Sequence, residues 1–228
     1  MVHLNLEPSH SSLVGSSLSL LDDSQSVSNH RTALHITRIR ISPYFINAGL
    51  LCSGPLISAV AAGYSSLIAS TSLDFDILFG PAYKGIPFVA ATALTLYRDH
   101  GLSVGYAYDR KEAKDHGEGG KMVGSDVRNK RVLILDDVMT AGTAVKQSIE
   151  LIKKEGGIIV GVVMLLDREE TGPTGRSTIK DIEEILGGGA TVHTILRMRD
   201  LVTWLENNGQ RDVVGRMKAY YDEYGVKR

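Results

Sequence analysis

With 228 residues, 43% hydrophobic and 22% charged, and a formal net charge of -1, the chain has room for one full core and the balance of a soluble globular domain. That balance excludes an overall basic surface of the kind that binds nucleic acid or anionic membranes, and no apolar run approaches the roughly 20 residues of a membrane helix. A single cysteine, Cys52, excludes an internal disulfide and suits a reducing, cytoplasmic compartment; it reads as a small buried hydrophobe rather than a nucleophile.

Residues 1–34 are rich in Ser and read as a flexible leader or weakly packed helix. Their apolar pieces, Leu13-Val14 and 18–21, are short, and Asp22-Asp23 follow where a signal peptide wants small neutral residues. Residues 35–228 read as one domain. It opens with the alternating stretch HITRIRISPYF, a strand in which Ile36, Ile39 and Ile41 are only partly in phase. Pro43 breaks it, and Asn47-Ala48-Gly49 turns the chain toward a helix over 54–70. A strand at 75–79 runs into Gly80-Pro81-Ala82-Tyr83-Lys84-Gly85. The next helix carries Pro87 in its first turn, extends to His100 and is closed by Gly101. A strand at 103–108 then leads into the most polar segment, 109–121, which reads as a mobile surface loop. On its own such a run is a solvated charged loop. Placed between a strand ending at the sheet edge and a short return strand at 121–123, it can fold its cations over a neighbouring site.

The organising stretch is 131–145, RVLILDDVMTAGTAV. An uninterrupted apolar run predicts a strand buried on both faces of a parallel sheet. Asp136 and Asp137 stand at its end, followed by a small-residue loop and a helix whose Val145, Ile149 and Ile152 share one face. Unpaired N–H groups and the helix dipole at such a junction hold an anion without a basic side chain, so this order builds a phosphate cradle. A long buried strand at 158–166 ends in Asp167-Arg168-Glu169-Glu170. A Gly/Pro loop at 171–175, a helix at 177–186, a strand at 191–196 and helices at 200–207 and 211–224 complete the chain. Helices interleaved with apolar strands predict an α/β fold, a doubly wound and mostly parallel sheet with ligands at the carboxyl ends of its strands.

VLILDDVMTAGTA resembles the phosphoribosyl-pyrophosphate motif of type I phosphoribosyltransferases. With FGPAYKGIP and YDRKEAKDHGEGG, in that family's order, the chain resembles the orotate phosphoribosyltransferases of the fungal kind over roughly residues 41–224. The resemblance implies a type I phosphoribosyltransferase sheet with a small hood built from the N-terminal part. It also implies transfer of the phosphoribosyl group from phosphoribosyl pyrophosphate (PRPP) to orotate, giving orotidine monophosphate and pyrophosphate for UMP synthesis.

By the same resemblance Tyr83 and Lys84 lie beside the pyrophosphate. Asp136, Asp137, Val138, Met139, Thr140, Ala141, Gly142, Thr143 and Ala144 take the ribose and its phosphate. Asp136 and Asp137 reach the cleft together only if the backbone bends, since successive strand residues face opposite ways. Arg110, Lys111, Lys114 and His116, with Asp137, form the catalytic set; the family's basic loop closes over the neighbouring subunit's site, which implies a homodimer with shared sites. Phe45, Ile46, Thr140 and Arg168 contact orotate, Arg168 through the carboxylate; its bland alternative is an ion pair with Asp167 or Glu170. Mg²⁺ is implied as a cofactor held through the pyrophosphate, without a dedicated protein cage. Two departures stand out: Ile46 replaces an aromatic, and Thr37-Arg38-Ile39-Arg40 replaces the family's Lys-Ser-Gly-Arg turn. The competing readings are a non-catalytic PRPP-binding regulator and a purine phosphoribosyltransferase.

Overall fold

A computed structural model describes residues 18–19, 42–114, 120–139 and 141–227. The sheet order is β5-β4-β3-β6-β7-β8, built from β3 (Ile77–Gly80), β4 (Gly105–Lys114), β5 (Gly120–Gly124), β6 (Arg131–Met139), β7 (Ile158–Asp167) and β8 (Thr191–Arg197). Every pairing is parallel except β4 with β5. Helices α1 (Gly54–Ser70) and α2 (Gly85–His100) cover one face, and α3 (Thr143–Lys154) and α4 (Thr178–Leu186) the other; α5 (Met198–Asn207) and α6 (Arg211–Tyr224) follow β8. No described helix is long and apolar enough to cross a membrane.

The apolar run of β6 feeds both cores. Leu133 and Leu135 pack with Tyr64 of α1 and Phe88 of α2, whereas Val132 and Ile134 pack with Val145, Ile149 and Ile152 of α3. A strand that is buried on both faces has no use for polar alternation, which is why the run is continuous. α2 ends as its sequence signals: Gly101 adopts φ 68°, and its N–H reaches the carbonyl of Tyr97. A third cluster, at the carboxyl ends of β7 and β8, gathers Tyr44, Leu166, Leu196, and residues of α5 and α6, with Ile46 packed against it. The cap over this end therefore draws on the C-terminal helices as well as on the N-terminal part. Beside it, β1 (Leu18–Ser19) pairs antiparallel with β2 (Phe45–Ile46). The remainder of the leader, and Thr37 to Ile41 with it, lies outside the described residues.

Two expectations are corrected. The charged segment after residue 108 is not a loop throughout: β4 continues to Lys114 and pairs with β5 from Tyr108↔Val123 to Lys114↔Gly120, with a register shift between Asp109 and Lys114. An antiparallel ribbon at a sheet edge meets its backbone hydrogen bonds without burying side chains, so it carries no apolar alternation to read. Residues 115–119 lie outside the described residues. Cys52 is exposed rather than buried, because it stands in the short connection into α1 while its neighbour Leu51 enters the core.

Candidate active site

Between β3 and β6 the connections diverge: β3 passes through α2 to β4, and β6 passes through α3 to β7. The strand order reverses there, leaving a crevice at the carboxyl edge, where open α/β sheets bind ligands. A cleft of about 510 Å³ occupies the position. The turn after β3 supplies Pro81, Ala82, Tyr83 and Lys84; β4 supplies Lys111; β6 and the loop into α3 supply Asp136, Asp137, Val138, Met139, Gly142, Thr143 and Ala144.

The β3 turn is held from two sides. Its flanking glycines lie back to back, so that a Cβ on Gly85 would come within 2.7 Å of the Gly80 carbonyl carbon. Ala82 N–H donates to Asp109 Oδ1 of β4 at 2.6 Å, and the Ala82–Tyr83 peptide is cis. Lys84, half-exposed at the tip, places Nζ 3.2 Å from Asp137 Oδ2.

Alternation along β6 puts Asp137 on the face of Leu133 and Leu135, toward Lys84, and Asp136 on the face of Val132 and Ile134. Both still border the cleft, the Asp137 side chain 15% exposed and Asp136 8% exposed. Asp136 Oδ1 accepts from Asp137 N–H at 3.0 Å, Asp137 Oδ1 accepts from Val138 N–H at 2.6 Å, and the Tyr64 hydroxyl donates to the Asp136 carbonyl at 2.7 Å. Burial, and then the charge of Asp137, push the Asp136 carboxyl up to about 7; burial with the same two acids keeps the Tyr64 phenol protonated. Beyond them Gly142 caps the start of α3, with a φ of 71° that favours glycine and a Cβ position hemmed in by Ile182 Cδ1 at 3.1 Å. The first N–H groups of α3 belong to Thr143 and Ala144, which are exposed and line the cleft, an arrangement able to accept an anion.

A second cleft of about 420 Å³ adjoins the first at Met139. Ala141, Asp167, Arg168, Glu170, Gly172, Thr178 and Tyr220 are among its lining residues. Arg168 is largely buried, bonded through Nε to Glu170 Oε1 at 2.8 Å and through Nη2 to Ser42 Oγ at 3.0 Å, with its guanidinium 4.7 Å from the Tyr44 ring centroid. One cleft thus joins a helix N-terminus to two carboxylates, and its neighbour holds a forked cation.

The model of the phosphoribosyl transferase domain family matches residues 53–197. An orotate phosphoribosyltransferase of Acinetobacter baumannii (strain ACICU) is 46% identical over 187 residues, covering 82% of this chain and 85% of that protein. The chain belongs to the orotate phosphoribosyltransferase family. A crystal structure of the Francisella tularensis orotate phosphoribosyltransferase aligns with a TM-score of 0.71 at 38% identity, over 82% of this chain and 89% of that one. The Mycobacterium tuberculosis orotate phosphoribosyltransferase, crystallised with PRPP, shares the fold at a TM-score of 0.55 and 21% identity, over 69% of this chain and 83% of that one.

For this orotate phosphoribosyltransferase family chain, the structure brings Tyr83, Lys84, Lys111, Asp136, Asp137, Val138, Met139, Gly142, Thr143 and Ala144 to one cleft, and Ala141 with Arg168 to its neighbour. Lys111 lines the cleft of its own chain, on the face of β4 it shares with Asp109. Arg110 points to the other face, does not line either cleft among the described residues, and buries Nη1 without a hydrogen-bond partner among them. Ile46 belongs to the C-terminal cluster; Phe45 is placed as backbone in β2. The Lys114 side chain, His116 and Thr140 lie outside the described residues. Sequence reasoning missed Asp109 as the anchor of the β3 turn and Ser42, Tyr44 and Tyr220 around Arg168. Only the acid at the end of a strand was a usable signal, for Asp109.

Asp136 makes the family site pH-sensitive. Its carboxyl titrates near 7 when folded and near its ordinary value of 3.8 when unfolded, so folding holds a proton that the unfolded chain releases. The parent protein therefore loses stability as pH rises from about 4 to about 7, by an amount on the order of 4 kcal/mol. Asp136→Asn keeps the oxygen that accepts from Asp137 N–H and removes the charge. It is expected to unfold at higher urea than the parent at pH 8, with the gap closing by pH 4. A gap independent of pH would sink this account.

Proposed function

We propose that the protein is an orotate phosphoribosyltransferase, transferring the phosphoribosyl group of PRPP to a ring nitrogen of orotate and releasing pyrophosphate and orotidine monophosphate in the synthesis of UMP. The observation that carries the reading is the pair of adjoining clefts, one built for a phosphate and a sugar and the other for a planar carboxylate, meeting at Met139.

The bond from the anomeric carbon to pyrophosphate breaks as the bond to nitrogen forms, through a transition state resembling an oxocarbenium ion. Its demands are electrostatic: hold the sugar, neutralise the leaving group, exclude water. The N–H groups at the start of α3, with Thr140 and Thr143, hold the ribose phosphate. Asp137 grips the ribose hydroxyls and presents its charge to the developing cation, while Asp136, buried and half-protonated near neutral pH, both donates and accepts. Tyr83, Lys84 and Lys111 stand by the pyrophosphate, on the side of the cleft away from α3. Arg168 pairs with the orotate carboxylate and Ile46 and Phe45 contribute backbone contacts to the base. Mg²⁺ would be held through the pyrophosphate itself, with the Asp137 carboxylate at the cleft edge as a hard oxygen donor beside it, and would supply Lewis-acid stabilisation of the leaving group.

Two copies share their sites, with Arg110, Lys114 and His116 of one copy reaching the other's pyrophosphate. Large apolar side chains exposed on α2 and the adjacent β4 support this: Leu94, Tyr97 and Tyr106 are 63%, 65% and 41% exposed. A cytoplasmic location is supported by the free, exposed Cys52.

Loss of orotate absorbance in the presence of PRPP and Mg²⁺ tests the reaction. Turnover by the parent chain and its near-abolition in Lys114→Ala are expected; PRPP binding without turnover would establish a regulator instead. Mixing Asp137→Asn chains with Lys114→Ala chains is expected to restore part of the activity, because one site in each mixed dimer is intact. No restoration would count against shared sites.

A further inference from the structure

Glu170 sits between the base cleft and the C-terminal helix, and none of the roles above uses it. Its Oε1 accepts from the Tyr44 hydroxyl at 2.6 Å and from Arg168 Nε at 2.8 Å, while Oε2 lies 3.4 Å from the Tyr220 hydroxyl of α6. Its backbone is fixed too: Glu170 bridges to Gly225, and Thr171 N–H donates to the Tyr224 carbonyl at 2.9 Å. A carboxylate tied at both oxygens and along its main chain cannot follow the guanidinium; the guanidinium follows it. Glu170 takes Nε and one side of Nη2, Ser42 takes the rest of Nη2 at 3.0 Å, and the Tyr44 ring lies under the plane. Among the described residues, that leaves the Nη1 end of the fork to meet a ligand in the cleft. Burial keeps the Tyr44 phenol protonated, so its hydroxyl is a donor to Glu170.

We propose that Glu170 is a positioning residue for orotate, orienting Arg168 toward the base cleft and thereby making the C-terminal helix α6 part of base recognition. The proposal rests on the assignment of Arg168 to the orotate carboxylate. It differs from simple charge compensation in one respect: compensation needs the negative charge of Glu170, whereas positioning needs its hydrogen-bond acceptors. A glutamine keeps an acceptor in place and removes the charge.

The test measures KM for orotate, KM for PRPP and kcat, with melting temperatures, for Glu170→Ala, Glu170→Gln, Tyr44→Phe and Arg168→Ala. Glu170→Ala is expected to raise KM for orotate about tenfold or more, the size of one charge-assisted hydrogen bond, with KM for PRPP within about twofold. Glu170→Gln is expected to stay within about threefold of the parent, and Tyr44→Phe, which keeps the ring under Arg168 and loses only the hydroxyl, to raise KM for orotate about fivefold. Glutamine as damaging as alanine, or both KM values rising together, overturns the proposal. So does an unchanged KM for orotate in both Glu170→Ala and Tyr44→Phe while Arg168→Ala raises it. If Arg168→Ala itself leaves KM for orotate unchanged, the carboxylate assignment fails, and the proposal falls with it.

Discussion

Asp137→Asn is expected to lower kcat by about 100- to 1000-fold, the usual loss when one preorganised group facing transition-state charge is removed. The fold should tolerate the change. An amide oxygen can still accept from Val138 N–H, which the parent carboxylate accepts at 2.6 Å, and the pair with Lys84 has one half-exposed partner, so it is worth no more than about 1 kcal/mol. Activity and stability therefore separate at this residue: the carboxylate matters because it faces a cation that exists only in the transition state. A second signature accompanies the first. The charge of Asp137 is one of the two causes holding the Asp136 carboxyl near 7, so its removal lowers that value. Steady-state kinetics across pH 5 to 9 read both effects. A variant with parent-like kcat, or one whose loss is matched by a fall in melting temperature, would remove Asp137 from the reaction.

Arg168→Ala is expected to cut kcat/KM for orotate by about 100- to 1000-fold, in line with the 2–5 kcal/mol lost when one partner of a buried charge pair is truncated. Here the change also strands Glu170, a carboxylate 17% exposed whose partner is itself 13% exposed, so melting temperature should fall as well. Arg168→Lys is expected to recover little, because an ammonium cannot offer Glu170, Ser42 and a substrate carboxylate a planar fork at once. Calorimetric titration with PRPP separates the local from the global effect: its binding should stay within about threefold of the parent, since Arg168 borders the second cleft and not the first. An equal loss of PRPP affinity would mean the substitution had disturbed β6 and not the base site.

Much of this was legible in the sequence because the central features are written in local pattern. The apolar run into Asp136-Asp137, the small-residue loop and the Val145–Ile149–Ile152 face specify a buried strand, a turn and a helix without reference to the rest of the chain. Pro87 and Gly101 mark the two ends of α2 in the same way. The strand at 103–108 and the return strand at 121–123 were legible, but the continuation of β4 from Asp109 to Lys114 was not, because an exposed antiparallel edge carries no hydrophobic period. Nor was the bond from Ala82 to Asp109, a contact between residues 27 apart that depends on β3 and β4 lying side by side. For Arg168 the two readings, substrate partner and ion pair with Glu170, were treated as rivals. The geometry has the ion pair in place and the arginine still lining the cleft.

The glycines at 80 and 85 bracket a turn in which backbone touches backbone, with no side chain between to absorb a change. The frame of that turn is thus rigid while the Tyr83 and Lys84 side chains project from it, Tyr83 69% exposed and Lys84 half-exposed and reaching across to Asp137. Such a strand-to-helix turn works like a socket with an interchangeable bit. The residues at its tip can be exchanged to suit a different leaving group with little effect on the sheet, whereas a single methyl at either hinge would displace whatever the tip carries. Engineering of leaving-group preference in this chain therefore belongs at positions 83 and 84, and libraries that vary 80 or 85 will return misfolded or misaligned sites.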